Sequence, residues 1–175
     1  YDLSKKTKIH AGYSRYFTPP PTAIIASSSL SKFQGTTNAS ENIQNDKVKA
    51  ERTNYYDVGV SHQMTKNLTF SLDGYYKDIK NLLDEGQFGN ALIYTPFNYQ
   101  YGKAYGLEFT ADYKKDNFAS YFNFATQKAY GRNIISGQYL FGADEIDYVA
   151  KNNVTLDHIQ TYTASVGSSY SWLGT

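Results

Sequence analysis

The chain of 175 residues has no cysteine, one methionine, one tryptophan and three histidines. Without cysteine there is no disulfide framework, no thiolate metal site and no thiol nucleophile. His10, His62 and His158 are scattered, which excludes a histidine-rich metal cluster. No run approaches the roughly 18 apolar residues of a membrane helix, and Ala23-Ile24-Ile25-Ala26 is the longest candidate considered. Helical Glu–Lys patterning is nearly absent. The formal net charge of +1 offers no global attraction to nucleic acid, so no nucleic-acid partner is expected. Phosphate-loop, Gly-x-Ser-x-Gly and His-Glu-x-x-His patterns are missing, so no catalytic residue, metal site or cofactor is assigned and the protein is not expected to be an enzyme.

Tyrosine is abundant instead: 18 Tyr and 10 Phe. Tyr favours strands that have one apolar and one wet side. Six runs alternate with period two, near residues 7–17, 54–64, 68–78, 101–113, 118–129 and 158–172. Thr65-Lys66-Asn67 and Lys114-Lys115-Asp116-Asn117 read as tight turns. Long connections are expected near 18–52, 79–100 and 130–157. Pro19-Pro20-Pro21 opens the first of them, because proline cannot donate to a ladder. That first connection, polar and nearly free of rings apart from Phe33, reads as a mobile cover.

The runs are longer than the usual globular strand of about 5–6 residues and match a tilted transmembrane strand of about 9–11. Short and long connections alternate, which puts all turns at one end and all loops at the other. This predicts an all-β, antiparallel, up-and-down meander of about six long strands, forming part of a transmembrane barrel. One face carries Asp57, Asp73, Lys77, Glu108 and Asp112 among small residues. The other is apolar in its middle. Its rings lie toward the ends, Phe17, Tyr56, Tyr76 and Tyr105 near the loops and Tyr113, Phe118, Tyr170 and Trp172 near the turns, as two membrane interfaces favour. Arg15 and His62 break the apolar face near its two ends. A soluble sandwich explains the alternation but not the end-loaded rings or the one-sided loops.

Several segments resemble the barrel of TonB-dependent outer-membrane receptors: Tyr13-Ser-Arg-Tyr-Phe-Thr-Pro-Pro-Pro21, Tyr55-Tyr-Asp-Val-Gly-Val-Ser61, Leu72-Asp-Gly-Tyr-Tyr-Lys77, Asn81-Leu-Leu-Asp-Glu-Gly-Gln-Phe-Gly89, Thr95-Pro-Phe-Asn98 and Tyr105-Gly-Leu-Glu-Phe-Thr110. The resemblance spans essentially residues 1–175. It implies a partial barrel domain without its plug, located in the outer membrane of a Gram-negative bacterium. It further implies uptake of a scarce nutrient such as a ferric siderophore or a cobalamin. The implied partners are outer-membrane lipid, the receptor's own plug domain, the TonB energy-coupling complex that acts through the plug, and a small-molecule ligand such as a metal chelate. A passive porin and a secreted carbohydrate-binding sandwich are the rival readings.

Two residue sets carry the expected chemistry. In the 79–100 connection, Asp84, Glu85, Phe88, Tyr94, Phe97 and Tyr99 combine ring faces with a few polar groups, which suits a cyclic or conjugated ligand. The alternative is that these rings pack the loop onto its neighbours. On the polar face, the resemblance together with strand parity assigns Asp73, Lys77, Glu108 and Asp112 to the lumen, facing the plug. Asp144-Glu145-Ile146-Asp147 lacks calcium-loop spacing and reads as a solvated acidic stretch, and Asp157-His158 as a polar pair at a strand end.

Overall fold

A computed structural model describes residues 1–22, 27–88 and 94–172. Ala23–Ala26, the middle of the expected 79–100 connection (residues 89–93, including Gly89 of the family-like segment), and residues 173–175 lie outside the described part. Eight strands form one antiparallel sheet: β1 (Asp2–Ser4), β2 (Thr7–Thr18), β3 (Glu51–Gln63), β4 (Leu68–Gln87), β5 (Tyr94–Lys115), β6 (Phe118–Ser136), β7 (Val154–Thr155) and β8 (Tyr162–Tyr170). Neighbours in sequence pair in order from β1 to β7, and β8 also pairs with β6. Six of the strands are long, as the alternation predicts, and the sheet is not closed. The short turns fall where expected, between Gln63 and Leu68 and between Lys115 and Phe118. Asp116 adopts φ 50°, a left-handed conformation that Asp tolerates in a two-residue turn.

The register converts the alternation into rows that cross the sheet. Ile9, Val60, Leu72, Phe109 and Phe124 stand side by side on one face, with Ala164 of β8 completing the row. Among the described residues no second layer covers this face, on which Leu107 is 54% and Val166 74% exposed. A soluble sandwich would bury this face as its core. Two aromatic rows bound the apolar band. Tyr13, Tyr56, Tyr76 and Tyr105 are partners across four strands, with ring centroids 5.1 Å apart for Tyr13–Tyr56 and 6.4 Å for Tyr56–Tyr76. Tyr113 and Phe118, 6.1 Å apart, and Tyr170 and Trp172, 5.0 Å apart, mark the turn end. Tyr105 and Tyr113 are eight residues apart in sequence, or ~27 Å along a strand. A strand tilted by ~40° then spans roughly 21 Å between the two rows, close to the apolar height of a membrane barrel.

The opposite face interlocks large side chains with glycines. A Cβ on Gly106 would lie 2.7 Å from the Tyr75 ring and 2.7 Å from the Thr126 carbonyl oxygen. A Cβ on Gly59 would lie 2.0 Å from an Asp73 carboxylate oxygen and 2.3 Å from the His10 ring. Tyr-Gly-Leu-Glu thus has a local meaning: Tyr105 and Leu107 face outward, while Gly106 yields its place to Tyr75.

The expected long connections are corrected. The 79–100 stretch is mostly strand, since β4 runs on to Gln87 and β5 begins at Tyr94. Pro96 is tolerated because it lies beyond the last β5–β6 partner, Asn98 with Ser136, and only the β4 side needs a ladder. The 130–157 stretch contains the end of β6, a 3-10 turn over Gln138–Leu140, the helix α2 (Ala143–Lys151) and β7. The 18–52 stretch contains one short helix, α1 (Ser27–Leu30), and a 3-10 turn over Ser31–Phe33.

What hid these strand extensions is a break in period. Asn81 (φ 55°) and Asn133 (φ 61°) take left-handed backbone conformations at one height of the sheet, flanking Gln100, and the β5–β6 register shifts beside them. Ile79, Gly102 and Gly131 form one row on the polar face. Leu82 and Tyr99 return to that face after three residues instead of two, lying over Gly102 and Gly131.

Gly106→Ala is expected to destabilise the barrel by about 1–3 kcal/mol, because the Thr126 backbone cannot retreat. Thermal unfolding of the complete protein in detergent reads this as a lower midpoint.

Candidate functional site

Beyond the Asn81–Asn133 height the sheet acquires a core. Ile79, Leu82, Phe97, Tyr99 and Ile134 are buried together with Val149 of α2, and Ile146, Phe141 and Leu156 close the cluster. The helix α2 (Ala143–Lys151) is supported at its start by the N-cap Gly142, whose N–H donates to Glu145 Oε2 at 2.9 Å, and along its length by Lys151, which pairs with Asp147 at 2.6 Å. The acidic run therefore caps a helix. A second small cluster joins Leu30, Phe88 and Tyr139, with Phe33 against them.

Polar stitching holds the returning segment 40–50 to this assembly. Asn98 has no exposed surface. Its side-chain oxygen accepts from the Lys49 N–H (2.7 Å) and from Ser136 Oγ (2.8 Å), and its amide nitrogen donates to the carbonyls of Lys49 (3.0 Å) and Asn81 (2.9 Å). Gln138 exchanges two bonds with Asp46, at 3.1 and 2.8 Å. Ser40 Oγ donates to the Tyr139 carbonyl. Glu51 accepts from the Leu83 N–H at 2.9 Å. The segment expected to be a mobile cover is thus tied down from Ser40 to Glu51. Sequence reasoning missed Asn98, Gln138 and Ser136, whose partners lie 17 to 92 residues away.

The six expected ligand candidates divide. Phe88, Phe97 and Tyr99 are buried, and their rings meet other rings: Phe97 lies 4.9 Å from both Tyr99 and Phe141, and Phe88 lies 5.1 Å from Phe33 and 5.6 Å from Tyr139. This is the packing alternative raised by the sequence. Tyr94 is 61% exposed and pairs with Gln87 at the hairpin tip; Glu85 is exposed, two residues down β4. Asp84 is half-buried opposite Phe97, and desolvation pushes its carboxyl above the usual carboxylate range, opposed mainly by the Glu85 N–H that it accepts at 2.9 Å. The Tyr99 phenol is pushed up to about 12, chiefly by desolvation and then by Asp84.

Asp73, Lys77, Glu108 and Asp112 all fall on the polar face, below this assembly. Asp73 stands directly opposite Glu108, a like-charge pair that calls for a cation. His10 Nε2 approaches Asp73 at 3.3 Å and Asp57 at 3.6 Å. Lys77 Nζ lies 5.8 Å from both the Tyr55 and Tyr75 rings, and Tyr75 donates to Gln127 Oε1 at 3.0 Å. Alternation revealed the face; only the register brings His10 to Asp73. Asp157 and His158 are 3.5 Å apart and exposed.

Asn98→Ala leaves a buried hydroxyl and three backbone groups without their shared partner, at a cost of about 2–3 kcal/mol. Limited proteolysis of the complete protein should then cut within 40–50 markedly faster. Asp84 behaves oppositely. Its folded-state pKa is raised, so stability is full below the ordinary carboxylate value of 3.8 and falls as pH rises through the folded value. Asp84→Asn is therefore expected to raise the unfolding midpoint at pH 7 and leave it unchanged near pH 3.

A single meander, apolar and open on one face, polar and glycine-jointed on the other, with structured loops gathered at one end, has the anatomy of a membrane barrel wall. The family model described as TonB dependent receptor-like, beta-barrel matches residues 1–175. No curated protein and no solved structure matches the chain significantly. The chain belongs to the TonB-dependent receptor-like β-barrel family, a transporter and receptor family of the Gram-negative outer membrane that serves nutrient import.

Proposed function

We propose that this wall belongs to a receptor for a metal chelate, a ferric siderophore or a cobalamin, captured at the loop end of the sheet. The observation that carries the reading is the knitted hairpin β4–β5. Its inward rings Phe97 and Tyr99 pack in one cluster with α2 and its Asn98 is bonded to Lys49 of the segment 40–50, while Tyr94 and Glu85 stay exposed near its tip. A ring face next to a carboxylate, Tyr94 and Glu85 standing on the same face of the hairpin, suits a rigid, partly conjugated ligand carrying cationic or hydroxyl groups. In this reading Tyr94, Glu85 and the desolvated Asp84 meet the ligand, and Phe88, Phe97 and Tyr99 hold them in position.

Asp73, Lys77, Glu108 and Asp112 face the plug. The Asp73–Glu108 pairing favours a cationic plug side chain at that height, and the Lys77 ammonium over its two rings favours a carboxylate partner. The TonB complex pulls the plug, and the glycine-jointed wall supplies the rigid frame against which it moves.

Tyr94→Ala and Glu85→Ala in the complete receptor should each weaken binding of the cognate chelate roughly tenfold, with unchanged assembly into the membrane. Direct binding measured with ferric siderophores and cobalamins checks this. Unchanged affinity in both variants, or no binding of either ligand class by the wild type, overturns the proposal.

A further inference from the structure

The outward face has a second feature, which neither import nor plug contact uses. Just beyond the tyrosine row Tyr13, Tyr56, Tyr76 and Tyr105, two successive rows of outward side chains cross the sheet. The first reads Arg15, Asn54, Asp78, Lys103 and Tyr130 from β2 to β6; the second reads Phe17, Arg52, Lys80, Tyr101 and Arg132. Five of these ten positions are cationic and one is acidic. Arg15, Arg52, Lys80, Lys103 and Arg132 are all exposed. Among the described residues no carboxylate lies within ion-pair distance of any of them.

Two details indicate an anion. Arg52 and Lys80 are direct register partners, so two like charges face each other across adjacent strands, an arrangement that is unfavourable unless something negative bridges them. The same side chains, with Arg15 and Tyr101, border a recess of about 690 Å³ on this part of the sheet. The depth indicates which anion. The belt lies at the loop end of an apolar band and directly beyond its aromatic row, the level at which lipid headgroups begin. A soluble ligand bound for the lumen passes on the other face.

We propose that this belt holds the phosphate groups of a phosphorylated lipid of the outer leaflet, with Arg52, Lys80 and Arg15 as its principal contacts. The inference rests on the membrane-barrel reading and on the external orientation of the long loops. Guanidinium groups suit the role because they bind phosphate oxygens in bidentate fashion, and the neighbouring tyrosines offer ring faces at the headgroup level.

The test uses the complete receptor in detergent, with thermal unfolding and native mass spectrometry as readouts. The probes are bisphosphorylated lipid A, its dephosphorylated form and inorganic phosphate. Bisphosphorylated lipid A should bind and raise the unfolding midpoint, and the other two should do neither at the same concentration. Each cation removed should weaken binding about fivefold, so R52Q/K80Q should lose roughly 25-fold. Lys66→Gln, in a turn at the opposite end, should change nothing. Equal binding of the dephosphorylated lipid, an equal response to inorganic phosphate, or unchanged affinity in R52Q/K80Q overturns the proposal. If R52Q/K80Q does not fold, the wild type carries the test: the advantage of the phosphorylated lipid must shrink as salt rises, and a salt-independent advantage overturns the proposal. A wild-type chain that forms no folded barrel in detergent overturns the membrane reading; a folded barrel indifferent to lipid phosphate overturns this inference alone.

Discussion

The structure depends on antiparallel register held across five long strands. Backbone groups pair between neighbouring strands from β2 to β6, where strands run 12 to 22 residues. Period two then assigns every side chain to one of two surroundings. Because β2 to β6 keep one register from Thr7 to Phe17, equivalent positions line up in rows, and a row has a single environment from one strand to the next. The tyrosine row, the aliphatic rows, the cationic belt and the carboxylates of the polar face all follow from that alignment. A slip of one residue would place Asp73 and Glu108 among the aliphatic rows and Leu72 and Phe109 on the polar face.

Where this rule is broken, the protein changes character. The left-handed residues Asn81 and Asn133 insert a three-residue step at one height, and beyond it the sheet no longer separates two solvents. Leu82, Tyr99 and Ile134 turn inward over glycines, α2 packs onto them, and Asn98 fastens the 40–50 segment to three strands. Among the described residues the core clusters gather at and above that height, in a small globular assembly whose buried polar side chains are hydrogen-bonded. A rigid wall joined to a structured external assembly fits an importer that captures its ligand outside and moves a plug inside. The cost of a kink is concentrated at asparagine, which tolerates positive φ better than other residues with a side chain.

The six long strands, the turn positions and the shared polar face of Asp73, Lys77, Glu108 and Asp112 could be read from alternation, because each depends only on residues within one strand. The strand extensions at 79–87 and 94–100 could not. Asn81 resets the parity, Pro96 reads as a breaker, and Ile79, Leu82 and Leu83 fit neither period. The aromatic candidates Phe88, Phe97 and Tyr99 were visible as rings, but whether a ring meets a ligand or another ring is decided by Phe33, Phe141 and Tyr139, far away in sequence.

By itself the sequence determined that the chain is a ribbon between two solvents, since the pleat turns composition at alternate positions directly into two surfaces. It also determined which end carries turns and which carries loops. Tertiary structure alone decided which cations, rings and carboxylates become neighbours. Arg15, Arg52 and Lys80, or His10 and Asp73, are separated by tens of residues along the chain and meet only through strand pairing. The fully buried Asn98 exists as a hub only because three remote segments close around it.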